Sequence, residues 1–241
     1  MSSNPDVTLG RRVVAEGVGT ALLLAAVVGS GIMGERLAGG NVAIALLANA
    51  LATGAALVAI LLTFGPISGA HLNPAVTLAA AWEGDLAWSE VPSFIAAQIT
   101  AAFVGVGVAD FMFDEPVYAL SRHARSGPSQ MLSELVATFG LLAVVWGCGR
   151  RRSSVVPFAV AAYITAAYWF TASTSFANPA VTLARAATDT FAGIRPSDVP
   201  AFIVAQLLGA AAATSLFRWL VPALATEAPR VVAKVRAAGR P

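Results

Sequence analysis

Two copies of one hexapeptide dominate the polar chemistry of this chain: Asn73-Pro74-Ala75-Val76-Thr77-Leu78 and Asn178-Pro179-Ala180-Val181-Thr182-Leu183. An asparagine at the start of an apolar stretch caps a helix N-terminus with its side-chain oxygen. The proline after it suits the first turn, where its missing N–H would have had no partner. The amide NH2 remains a donor beside the positive end of the helix dipole. Such a group can receive the oxygen of a neutral solute and repels a cation. Acid–base, nucleophilic and metal chemistry find no support. His71 and His123 lie in separate segments, no histidine or carboxylate cluster has metal-ligand spacing, and Ser175 reads as a lining hydroxyl or backbone donor rather than a nucleophile. No enzyme activity, metal or cofactor is expected. Cys148 is the single cysteine, so no intrachain disulfide can form.

The elements that position these asparagines follow from composition. Of 241 residues, 57% are hydrophobic and 12% charged, where a soluble domain carries about 25% charged residues. Lipid must therefore cover much of the surface. Spanning a bilayer takes about 20 mostly apolar residues, and six stretches qualify: 12–34, 41–64, 91–113, 130–149, 155–172 and 199–222. The first apolar run follows Arg11-Arg12 and is long enough to span, so it is not read as a cleavable signal peptide. Two further stretches, 74–82 and 179–187, open with the Asn-Pro pairs and are too short to cross. They read as half-helices that dip in and stop. The fold class expected is an all-α membrane protein of six transmembrane helices plus two re-entrant half-helices, with an inverted internal repeat.

The repeat is visible in three landmarks. Ala15-Glu16-Gly17-Val18-Gly19-Thr20 is echoed by Ser133-Glu134-Leu135-Val136-Ala137-Thr138, the hexapeptide recurs unchanged, and Val91 to Gln98 is echoed by Val199 to Gln206. Each copy, about 11–113 and about 130–222, holds three spans. That odd number forces the second copy to enter the membrane upside down, so the half-helices meet near the midplane from opposite sides. Broken backbone at that depth survives where it lines water or is buried in protein. The net charge of +2 does not point to nucleic acid, because the basic residues sit beside the spans. Arg11, Arg12, the triple arginine at 150–152, Arg218, Arg230, Lys234 and Arg236 all fall on one side. By the positive-inside rule that side is cytoplasmic, with both termini and the tail 223–241. Segment 114–128, on the other side, carries Arg122 and Arg125 against Asp114 and Glu115. A secondary transporter shares this architecture but needs a coupling carboxylate facing the cavity.

Ser68-Gly69-Ala70-His71-Leu72-Asn73-Pro74-Ala75-Val76-Thr77 resembles the first pore loop of the aquaporin (major intrinsic protein) family, and Asn178-Pro179-Ala180 resembles the second. The resemblance covers about 11–222 and implies a homotetramer in the bilayer of a bacterial inner (plasma) membrane, each subunit passing water and small uncharged solutes. It implies that Glu16 and Glu134 accept backbone N–H groups from the re-entrant loops, that Gln98 and Gln206 are polar struts, and that His71 braces its loop. Most members carry arginine after the second Asn-Pro-Ala; here it is Val181. Family spacing places Thr53, Ala166 and Ser175 beside it, a constriction without an aromatic or a charge. Arg185 is expected to pair with Asp189 at i,i+4. A wide constriction suits glycerol-like polyols and metalloid trihydroxides such as arsenite and antimonite, and the valine is similar to a bacterial subgroup associated with arsenical permeation.

Overall fold

The computed structural model describes residues 7–149 and 153–221; the arginines at 150–152 and the basic tail residues Arg230, Lys234 and Arg236 lie outside them. Eight α-helices follow one another: α1 (Leu9–Leu37), α2 (Val42–Ser68), α3 (Pro74–Glu83), α4 (Val91–Met112), α5 (Pro128–Gly149), α6 (Val156–Phe170), α7 (Pro179–Arg185) and α8 (Val199–Leu220). Six are long and apolar enough to cross a bilayer. α3 and α7 have ten and seven residues, about 15 and 10 Å at 1.5 Å per residue, and cannot. Helix α2 runs past Phe64 and tolerates Pro66 inside its last turns, ending where Gly69 adopts a left-handed φ of 92°.

The two halves are built alike. In the first, α1 packs against α2 and α4; in the second, α5 packs against α6 and α8, and α3 touches α7 where the halves meet. Close crossings need small residues, since lipid tails supply no hydrophobic drive between helices. A methyl on Gly105 would lie 2.3 Å from the Ala21 carbonyl oxygen of α1, and one on Gly209 2.4 Å from that of Leu135 in α5. These two glycines set how closely α4 and α8 approach their partners.

Charged residues lock the ends. Arg12 of α1 forms a bidentate ion pair with Glu90, both bonds 3.0 Å, and covers the Phe94 ring. Arg218 of α8 donates to the Trp82 carbonyl at 3.2 Å. The start of α1 and the end of α8 are thus tied to the same turn, 82–90, and lie on one side. On the other side Arg36 pairs with Glu115 at 2.8 Å and Arg122 with Asp189 at 2.7 Å.

Candidate functional site: two facing half-helices in a membrane-depth cavity

Asn73 and Asn178 cap α3 and α7 in nearly the same extended backbone conformation, φ −158° and −157°. The Asn73 side-chain oxygen accepts from Ala75 N–H at 2.9 Å; that of Asn178 accepts from Ala180 at 3.0 Å and Val181 at 3.3 Å. Each amide nitrogen then crosses to the opposite half. Asn73 Nδ2 donates to the Ala177 carbonyl and Asn178 Nδ2 to the Leu72 carbonyl, both at 2.8 Å. An amide NH2 has two hydrogens. One of each is used in this reciprocal bridge, and the second is left for the cavity that both residues line. Capping and presentation are done by the same side chain.

The loops before the caps are strained. Ala70 and Leu72 in one, and Thr174, Ser175 and Ala177 in the other, have positive φ without being glycine, at roughly 1–2 kcal/mol per residue. What holds them is a buried carboxylate in each half. Glu16 accepts from the Ser68 hydroxyl (2.6 Å), His71 N–H (2.9 Å), Leu72 N–H (2.7 Å) and Gln98 Nε2 (2.8 Å). Glu134 accepts from Phe176 N–H and Ala177 N–H, each 2.8 Å, and Gln206 Nε2 at 2.6 Å. Both carboxylates are fully buried, an expensive state that only such saturation sustains. Neither lines the cavity, so neither is placed to couple an ion to solute movement.

Gln98 and Gln206 donate onward to Thr77 Oγ1 and Thr182 Oγ1 at 2.9 and 2.8 Å. These threonines were not singled out from the sequence, although both stand at the fifth position of the repeated hexapeptide. His71 Nδ1 lies 3.2 Å from Thr77 Oγ1, its ring is tilted 5.6 Å from Phe94, and it also lines the cavity.

The cavity measures about 100 Å³. Along α6 it follows Val156, Val160, Ile164 and Tyr168, a run of about 18 Å at 1.5 Å per residue. Its other helical walls are apolar, with Leu23, Leu57 and Leu141 among them, whereas the re-entrant loops add Asn73, Asn178, Ser175 and backbone. The long helices thus give mostly apolar surface, with hydroxyls at Thr53 and Tyr168, and the asparagine amides come from the re-entrant segments.

Three of the four residues expected at the constriction, Thr53, Ser175 and Val181, line this cavity. Ala166 does not: it is exposed on the outer face of α6. The cavity face of that helix repeats every four residues, and Ala166 stands two residues from both Ile164 and Tyr168, a rotation of about 200°. Tyr168 lines the cavity instead, its hydroxyl 3.3 Å from Thr53 Oγ1. Arg185 also departs from expectation. Asp189 pairs with Arg122, while Arg185 donates from Nε to the Ala192 carbonyl and stacks on Phe176, 3.4 Å from the ring centre. Arg185 and Phe176 both reach the cavity, so the lining is neither free of aromatics nor free of charge. Arg125 covers the same ring at 5.0 Å.

Six spanning helices, two half-helices joined at their capping asparagines, and a cavity passing that junction define a membrane channel of the type with inverted repeats. The major intrinsic protein family model matches residues 4–166 and 150–239, and the chain belongs to that family. It is 54% identical over 216 residues to the aquaglyceroporin AqpS of Rhizobium meliloti, covering 90% of this chain and 92% of that protein. It is 33% identical over 195 residues to aquaporin NIP2-2 of Zea mays, covering 77% and 65%. The crystal structure of the aquaglyceroporin from Plasmodium falciparum superposes with a TM-score of 0.68 at 21% identity, covering 87% of this chain and 96% of that one, a likeness of fold.

Proposed function

We propose that the chain passively conducts water and glycerol-like polyols, and neutral metalloid trihydroxides of similar shape. The observation that carries this is the mixed lining of the cavity: apolar side chains of α1, α2, α5 and α6 together with the amides of Asn73 and Asn178, Ser175 and the loop backbone. A polyol has a C–H face and an O–H face, and trades its lost hydration for the donors among them. Thr53, Ser175 and Val181 are small, and Tyr168 and Arg185 are the larger groups that line the cavity with them. The aquaglyceroporin relative is the precedent for polyols; arsenite and antimonite follow from being uncharged trihydroxides at neutral pH.

In this reading residues 11–113 and 130–222 act as the two halves of one channel domain. Glu16, Glu134, Gln98, Gln206 and His71 hold the pore loops. Four copies assemble, each with its own pore, in a plasma membrane with both termini inside. Support for the orientation comes from Arg11, Arg12 and Arg218 lying on one side. The test is stopped-flow light scattering of proteoliposomes after jumps of sucrose, glycerol and urea, for the wild type and Val181→Arg. Glycerol and urea entry, cut back by the arginine, supports the proposal. Vesicles no more permeable to glycerol than empty ones overturn it.

A further inference from the structure

Two guanidinium groups approach the Phe176 ring, and they are bonded very differently. Arg125 is fully engaged: Nε donates to the Gly193 carbonyl (2.8 Å), one terminal nitrogen to the Ser173 carbonyl (3.2 Å) and the Thr174 hydroxyl (3.4 Å), and the other to the Phe191 carbonyl (3.4 Å). It does not reach the cavity. Arg185 uses only Nε, toward Ala192. Its two terminal nitrogens have no hydrogen-bond partner among the described residues, yet they are not among the polar atoms sealed from solvent. The residue as a whole is 2% exposed and lines the cavity. A buried guanidinium with four unused N–H donors open to a water-filled space is an arrangement without a packing rationale, because each unmet donor is costly. Arginine stays charged under such conditions.

The position is equally specific. Arg185 ends α7, where helix carbonyls favour a cation, one turn or about 6 Å beyond Val181. Phe176 fixes the guanidinium plane from below.

We propose that Arg185 is the fixed cation of this channel's constriction, displaced by one helical turn from position 181: its open N–H groups anchor the oxygens of a passing neutral solute, and its charge turns back sodium, potassium and hydronium. This rests on the conduction reading above and assigns the residue that sets its selectivity.

The experiment compares wild type, Arg185→Met, Arg185→Lys and the double variant Val181→Arg/Arg185→Met in proteoliposomes, reading sodium and proton leak by entrapped dyes alongside osmotic water and glycerol flux. Arg185→Met is expected to raise cation leak by about 100-fold, the factor for a unit charge about 6 Å away at an effective permittivity near 20. It is also expected to slow glycerol relative to water. Lysine keeps cations out but not the forked anchor, and the double variant restores exclusion. An Arg185→Met channel as cation-tight as wild type, with its glycerol-to-water ratio unchanged, overturns the proposal. Should that variant not fold, wild-type vesicles treated with methylglyoxal, a three-carbon arginine reagent of glycerol's size, decide the matter. Adducts mapped by mass spectrometry at Arg185 and not Arg125, slowed by glycerol, support it; no adduct at Arg185 overturns it. Wild-type vesicles tight to glycerol would sink the polyol reading alone, since leak and labelling need only an open water path.

Discussion

Replacing Glu134 by glutamine tests whether a buried carboxylate holds the second re-entrant loop. The change is nearly isosteric but removes one acceptor oxygen and puts an NH2 in its place. Glu134 Oε1 receives Phe176 N–H; Oε2 receives Ala177 N–H and Gln206. Whichever way the new amide turns, one buried backbone N–H faces another donor and goes unmet, at about 1–3 kcal/mol, and the surviving bond loses its charge assistance, about 1 kcal/mol more. The loop pulls the same way, because relaxing left-handed Thr174, Ser175 and Ala177 would release roughly 1–2 kcal/mol each. A loss of about 3 kcal/mol is a large fraction of a typical folding stability of about 5–15 kcal/mol. The expected result is a lowered unfolding temperature, followed through the buried Trp146, and glycerol permeability down by about 10-fold or more, since each 1.4 kcal/mol is a factor of about 10. Unchanged stability with unchanged glycerol flux would refute the clamp. Intact folding with loss only of proton-driven uptake would instead make Glu134 a relay.

Asn178→Ala removes the cap on α7 and one of the two cross-loop bridges; a cap is worth about 1 kcal/mol, and a larger fall in glycerol flux than in thermal stability is expected, read in the same vesicles. Gly209→Val should drive α8 off α5 and prevent a stable fold, visible as loss of the monodisperse peak in size-exclusion chromatography, whereas Gly10→Val, with nothing within 4 Å, should be neutral. Asp189 accepts from the backbone and side chain of Arg122, which hold its carboxyl below the ordinary 3.8. Its anchoring of segment 119–123 is therefore complete above that value and is lost as pH falls through the lower folded value; exchange of the Arg122 amide, corrected for the intrinsic rate, should speed up only there, and a flat profile would count against the anchor.

The architecture was legible because membranes leave few options. Spans are read by length, the inversion follows from three spans per repeat, and the paired asparagines mark the broken helices. A carboxylate inside an apolar span demands donors, which marks Glu16 and Glu134 as needing partners, but that these are the re-entrant loops came from the family resemblance. The constriction was less legible. It is built from a helix face and a loop of left-handed residues, and a shift of two positions on α6 exchanges Ala166 for Tyr168, from lipid side to cavity. Nor does periodicity reveal that Asp189 is taken by Arg122 from a segment 67 residues earlier, leaving Arg185 to turn inward. Thr77 and Thr182 could have been found: they recur in both hexapeptides, and a glutamine strut with two donor hydrogens needs a second acceptor.

The arrangement also bears on where selectivity can reside. The asparagines spend an oxygen on capping and one hydrogen on a carbonyl of the opposite loop, and both carboxylates are saturated by loop N–H groups and a glutamine, so the junction is nearly the same in each half. Such symmetry suits a barrier built from two opposed helix dipoles, which acts on charge without regard to a solute's shape. Discrimination among neutral solutes must come from residues that the repeat does not duplicate. On the cavity lining these include Thr53 and Tyr168 on the long helices and Arg185 on α7. Position 181 has a repeat counterpart in Val76, which also lines the cavity, whereas Arg185 answers to Ala80, a core residue of α3. Arg185 thus adds to Thr53 and Tyr168 a fixed charge that the matching position of the first half lacks.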